Sequence, residues 1–268
     1  PHLSSTRVLT MSYEEGVSVG DADGIRQLGL SAARVSRLLS EAFCSLIFVG
    51  HFVHADPHPG NVLVRRRGEA DASPQLVVLD HGLYRELPAH FALSYARLWH
   101  GIITGDADAI RVEAEAMGVG AYYPLLAAML TARTWNDVLR RRRSPADLAG
   151  GSTAKEEEKE EIRGYAAQYA RAIGLVLERV PRPMLLLFKT NDCLRHAERR
   201  LGGGSASFTV TLRYCANELK AERRRRAQTS YEGWPAWLAE LQLTLLVLLG
   251  GWMERVRELW SGLRRFSS

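Results

Sequence analysis

Pro57 and Pro59 stand two residues apart, and around them the chain has little regular structure open to it. Each ring fixes φ and removes a backbone donor, so this stretch forms neither a regular helix nor a central strand. Upstream, Val35, Leu38, Leu39, Ala42, Phe43, Leu46 and Ile47 recur at helical spacing, which predicts a long core helix within 29–49. Ser31 and Asp21 are candidate caps. Downstream, 62–64 and 76–79 have strand composition and the polar stretch 65–75 reads as a turn, so a hairpin is expected. The chain is therefore organised as a helix that delivers a proline-fixed loop into a pair of strands.

That loop carries chemistry. Residues 54–61 read HADPHPGN and residues 79–84 read LDHGLY, giving Asp56-x-x-x-x-Asn61 and Asp80-x-Gly82. Phosphoryl transfer needs one carboxylate near the attacking hydroxyl, and a second carboxylate with an amide oxygen to hold Mg²⁺ against the phosphates. Protein kinases set these groups on H-R-D-x-x-x-x-N and a later D-F-G, and the aspartate-to-asparagine spacing is the same here. Asp56 is the candidate catalytic base or hydroxyl-orienting group, ionised at neutral pH because a free aspartate titrates near ~3.9. Asn61 and Asp80 are the candidate metal ligands. His58 stands where protein kinases keep a lysine near the transferred phosphate, and is the second catalytic candidate. Aminoglycoside- and choline-type small-molecule kinases also carry a His there, so a small-molecule kinase stays open as an alternative. Two plainer alternatives are that Asp56 and Asn61 cap a turn, or that the ligands bind without turnover. Three histidines, His51, His54 and His58, raise zinc, but the prolines prevent a helix that would align them. His54 is read as packing the loop.

FVHADPHPGN at 52–61 together with LDHGLY at 79–84 resembles the aarF-domain-containing, UbiB-type atypical kinases. His81 points to the mitochondrial subgroup that holds the first and fifth animal members. LTMSYEEG at 9–16 is similar to the family's hinge, and PRPMLLLFKTND at 181–192 to its C-terminal signature, so the resemblance spans residues 1–220. It implies ATP and Mg²⁺ as cofactors, and adenine contacts from the main chain around Met11 and Tyr13. The family's usual acid after the Met is replaced by Ser12. It also implies a mitochondrial setting linked to lipid or coenzyme Q metabolism. Residues 8–11 are expected to form a short strand. Lys189 and Asp192, one helical turn apart, are read as an internal structural ion pair.

The expected fold class is mainly α, α+β overall: the helical C-terminal lobe of a protein-kinase-like fold with a short catalytic hairpin. No strand with V-A-I-K, no Gly- or Ala-rich phosphate loop, no helix with the paired Glu and no K-x-G-Q element is found. The chain starts at Pro1 and carries no signal or transit pattern. It is read as the C-terminal part of a longer protein, lacking its N-terminal lobe and inactive alone.

Two segments depart from this pattern. Residues 140–163 are Arg-rich, then Gly/Ser-rich, then a Lys/Glu run, and read as a charged insert in a domain spanning 1–228. The tail 229–268 holds LTLLVLLGGWM at 243–253, with Trp237, Trp252 and Trp260 nearby and Arg255, Arg257, Arg264 and Arg265 beyond. It is read as a membrane-spanning or interfacial helix contacting lipid, or as a helix packed on the domain or a partner. The net charge of +5 sits in arginine runs. No helix-turn-helix, zinc-finger or RNA-binding signature accompanies it, so nucleic acid is not an expected partner. Cys44, Cys193 and Cys215 lie in helical patterns and read as buried apolar residues.

Overall fold

The structure, a computed structural model, describes residues 3–68, 71–133, 135, 138, 170–202 and 206–229. The insert 140–163 lies outside them, as does the tail 229–268 apart from Thr229.

The chain enters through β1 (Val17–Ser18) and α1 (Ala22–Gln27), then α2 (Ala32–Phe48). Both helices begin on the expected caps: Asp21 accepts a hydrogen bond from the Gly24 N–H, and Ser31 from the Arg34 N–H. β2 (Phe52–His54) leads into the loop, which ends in a 3₁₀ turn (Pro59–Asn61). The hairpin follows as β3 (Val62–Arg66) and β4 (Pro74–Val78), and then β5 (Tyr84–Glu86). Two small antiparallel sheets result, with order β1-β3-β4 in one and β2-β5 in the other. The expected strand at 8–11 does not form. The strand of that region is β1, which pairs Val17 with Val64 and Ser18 with Leu63. Leu9 and Met11 are exposed, and with no apolar contact to secure it a strand there has nothing to pack against.

The further α-helices among the described residues are α3 (Ala89–Thr104), α4 (Ala107–Ala116), α5 (Tyr123–Thr131), α6 (Ala170–Arg179), α7 (Arg182–Arg200) and α8 (Ala206–Thr229). Asp106 caps α4 by accepting from the Ala109 N–H. Pro181 and Pro183 separate α6 from α7 and start the latter. The apolar residues divide into two cores. The larger gathers Phe48, Tyr95, Trp99, Ile102, Leu126, Met184 and Leu187 among others. The smaller holds Val19, Ile25, Val35, Leu39, Phe43, Val62, Val64, Leu194 and Ala197. Both α2 and α7 therefore run through the two cores, with one half of each helix in each. The proline loop crosses between the cores: Val53 before it is buried in the larger, and Val62 after it in the smaller.

Cys44 and Cys215 are buried as expected, and burial pushes the Cys44 thiol up to about 12. Cys193 departs from that expectation and is only partly buried.

The expected transmembrane helix is corrected. Among the described residues no helix is long and apolar enough to cross a membrane. The longest of them, α8, has 24 residues, enough for about 36 Å. It carries Arg213, Lys220 and the arginine run 223–226, however, and such charges are excluded from a bilayer interior. The apolar stretch 243–253 lies outside the described residues.

Candidate functional site

The site is assembled on a histidine. His54, at 2% exposure, is buried between Phe43 and Tyr84, with ring centroids 6.1 and 4.9 Å away. Its Nδ1 accepts the Asp56 N–H at 3.0 Å, and its Nε2 lies 2.7 Å from the Asp80 carbonyl oxygen. A backbone N–H only donates and a carbonyl only accepts, which assigns the neutral tautomer with the proton on Nε2. One ring thereby ties the loop of Asp56 to the loop of Asp80, and the packing role read for His54 is its observed role.

Asn61 closes the loop from the other side. Its Nδ2 donates to the Asp56 carbonyl oxygen at 3.2 Å and approaches the Asp56 carboxylate at 3.4 Å. With its amide nitrogen engaged, its Oδ1 is left for another ligand. The hairpin register sets Val62 opposite Val78, and the Leu79 N–H donates to the Asn61 carbonyl oxygen at 2.9 Å. Asp80 is therefore one residue beyond the strand position facing Asn61. The exposed Asp80 carboxylate accepts the Gly82 N–H through Oδ1 at 2.8 Å. A Cβ on Gly82 would stand only 3.0 Å from that oxygen, so the D-x-G glycine permits the tie. His81 between them bridges the Val78 carbonyl oxygen (3.1 Å) and the Tyr84 hydroxyl (2.8 Å).

Asp56 is half-exposed, and its Oδ1 receives the Lys189 ammonium at 2.8 Å. That hydrogen bond is the main cause holding the Asp56 carboxyl below its usual range, with smaller help from the charge of Lys189. Lys189 also donates to the Ala55 carbonyl oxygen at 3.2 Å. This corrects the reading of Lys189 as the partner of Asp192, whose carboxylate instead lies 3.7 Å from Arg195. Lys189 was the site residue that sequence reasoning missed. Its position in the apolar stretch of 181–192 was the available signal, because a lysine there needs a partner.

His58 caps the 3₁₀ turn, its Nδ1 accepting the Gly60 N–H at 3.0 Å and leaving Nε2 uncommitted on an exposed ring. Asp56, His58, Asn61 and Asp80 are thus brought together. Met11 and Tyr13 lie 64% and 89% exposed on the segment before β1. They take no part in the hydrogen bonds of that cluster. Glu14 ties this segment to the hairpin, accepting from Ser12 at 3.0 Å and from Arg65 of β3 at 2.8 Å. These bonds hold the Glu14 carboxyl below its usual range, with Ser12 the largest cause.

The Asn61 Oδ1 and the second carboxylate oxygen of Asp80 accept no hydrogen bond among the described residues, and both are hard ligands suited to Mg²⁺, which keeps waters and phosphate oxygens for its remaining positions. The donor set therefore fits the metal that the loop chemistry calls for.

Comparison with known proteins agrees with this geometry. The ABC1 atypical kinase-like domain matches residues 1–114, which include every residue of the site except Lys189. The chain is 42% identical to AarF domain-containing protein kinase 1 of Xenopus laevis over 85% of its own length and 42% of the relative's. It is 38% identical to the Mus musculus protein of the same name, over 91% of its own length and 47% of the relative's. A probable serine/threonine-protein kinase of Dictyostelium discoideum, abkD, is 31% identical over 84% of the chain and 31% of its own length. The chain thus spans about half the length, or less, of these curated relatives. No solved structure matches it. The loop, the hairpin and these relatives together make the chain a member of the ABC1/AarF family of atypical kinases.

Proposed function

We propose that the Asp56–Asn61–Asp80 cluster is the catalytic half of a nucleotide-dependent phosphoryl-transfer site using ATP and Mg²⁺. The observation that carries this is the double tie through His54, which sets the Asp56 loop and the Asp80 loop on one rigid ring. Asp56, kept ionised by Lys189, orients an acceptor hydroxyl and takes its proton late in the transfer. Asn61 and Asp80 hold Mg²⁺, which neutralises charge on the phosphates when bound. His58 offers Nε2 to the phosphate being transferred. Main-chain groups at Met11 and Tyr13 meet the adenine. The proposed setting is mitochondrial and linked to lipid or coenzyme Q metabolism, on the ground of family membership.

Calorimetric titration of the full protein with ATP, with and without Mg²⁺, tests this. Binding should require Mg²⁺ and weaken at least tenfold in Asp80→Asn and Asn61→Ala. Binding that ignores both the metal and the variants would rule the site out.

A second reading, nucleotide binding without turnover, draws support from one contact: Lys189 occupies an oxygen of Asp56 that a base needs. Asp56→Asn separates the two. It leaves binding intact under either, and removes a measurable ATP turnover only under the first.

A further inference from the structure

A cleft of about 520 Å³ opens beside the proline loop, between the turn preceding α1 and the outer face of α7. That volume suits a small organic ligand. His58 forms one wall. Cys193, His196 and Arg200 form another, spaced three and then four residues apart and so on one face of α7.

The polar groups of the cleft are not equally available. Asp21 is engaged as the cap of α1, accepting the Gly24 N–H at 2.9 Å, and Asp192 faces Arg195. His58 uses only Nδ1 internally. The side chains of His196 and Arg200 are exposed and make no hydrogen bond or ion pair among the described residues. The groups left to meet a ligand are therefore the donors of Arg200 and the two imidazoles, which favour an oxyanion.

The cleft and the reaction site share the proline loop: His58, Pro59 and Gly60 line the cleft, and Asp56 and Asn61 flank them in the chain. The Cys193 thiol, raised chiefly by burial, is raised further by the charges of Asp192 and Asp56. On α7, Cys193 stands four residues beyond Lys189, one helical turn along the same face. Along α7, His196 and Arg200 lie seven and eleven residues beyond Lys189, the residue that holds Asp56. At 1.5 Å per residue this is about 10 to 16 Å.

We propose that this cleft is the acceptor site, taking a hydroxyl compound that carries a phosphate or carboxylate on the order of 10–16 Å from that hydroxyl. The proposal rests on the phosphoryl-transfer reading of Asp56. The anionic end sits on His196 and Arg200, and the hydroxyl reaches Asp56 past His58. In the transfer the acceptor oxygen bonds to the terminal phosphorus of ATP as the bond from that phosphorus to ADP breaks. The hydroxyl proton passes to Asp56 and on to solvent.

The test is binding of phenyl phosphate to the full protein without nucleotide, read by ³¹P line broadening, with benzoate as competitor. Saturable binding is expected, at least tenfold weaker in Arg200→Ala and in His196→Ala and largely kept in Arg200→Lys. Arg199→Ala, one residue away on α7, and Asp80→Asn should leave it unchanged. Displacement by benzoate would support a general oxyanion site, and its failure a phosphate-selective one. Absence of saturable binding, binding untouched by Arg200→Ala, or an equal loss in Arg199→Ala would overturn the proposal. Because no nucleotide is present, these results are independent of the Mg²⁺–ATP titration, and either idea can fail alone.

Discussion

The Lys189 ammonium lies 2.8 Å from Oδ1 of Asp56, joining a helix residue to a loop residue 133 positions earlier. Both side chains are about half-exposed, so the contact contributes little to global stability. Its effect is local: it holds the carboxyl down and fixes which oxygen is engaged. The carboxylate is thereby kept ionised to lower pH than an unpaired aspartate would be.

Lys189→Met should raise the Asp56 carboxyl toward the ordinary aspartate range, as read by ¹³C titration of the side chain. The sign follows from the lowered folded value. Any stabilisation from the pair is present above the unfolded aspartate value near ~3.9 and is lost as pH falls through the folded one. The unfolding midpoint at pH 7 should hardly move, and turnover, where measurable, should fall by about 10²-fold or more. An unshifted Asp56 titration would remove Lys189 from the site.

His54→Phe keeps a ring between Phe43 and Tyr84 but strips both hydrogen bonds. The Asp56 N–H and the Asp80 carbonyl would lose their partner at a position where the wild-type ring is 2% exposed. Urea unfolding should show a loss of about 1–3 kcal/mol. Mg²⁺-dependent nucleotide affinity should fall along with it, because Asp80 is then no longer tied to the loop. A stability loss with unchanged affinity would show that the ring only packs.

His81 stacks on Tyr84 with centroids 5.8 Å apart, and its two nitrogens face a carbonyl and a hydroxyl. Only the hydroxyl can both give and accept a proton, so Nε2 carries the hydrogen toward Val78 and Nδ1 accepts from Tyr84. Long-range ¹H–¹⁵N spectra should show the neutral Nε2–H tautomer for this ring. Tyr84→Phe should keep that tautomer, because the Val78 carbonyl sets it, with a stability change of about 1 kcal/mol or less. Burial, then the charge of Asp80, raises the Tyr84 phenol, which keeps it protonated as a donor. Finding the Nδ1–H tautomer in the wild type would contradict the arrangement.

Local signals were legible in the chain and distant pairings were not. The caps at Asp21 and Ser31, the long α2 and the 62–78 hairpin each follow from neighbouring residues. So do the Asp56–Asn61 spacing and the glycine after His81. Lys189 failed because its partner is set by how α7 lies across the loop, and one turn of helix offered Asp192 as a nearer carboxylate. The misplaced strand at 8–11 has a similar origin: its residues have the composition, but the paired edge of β3 is met by Val17 and Ser18. The cleft under Arg200 draws on three separate segments of the chain, and no spacing rule links them.

His100 on α3 supplies a pH test of the fold. Burial is the main reason its imidazole titrates below the ordinary 6.5, with Arg223 of α8 adding to the shift and Asp106 opposing it. The neutral ring is the form the fold prefers, so its contribution is fully present above the unfolded value and is lost as pH falls through the lowered folded one. Urea midpoints measured from pH 7.5 down to pH 5 should drop below about 6.5 in the wild type. His100→Asn should flatten that part of the curve. Arg223→Gln should move the drop to higher folded pKa and lessen it, since the repelling charge is gone. Parallel curves for wild type and His100→Asn would show that other groups set the acid limb.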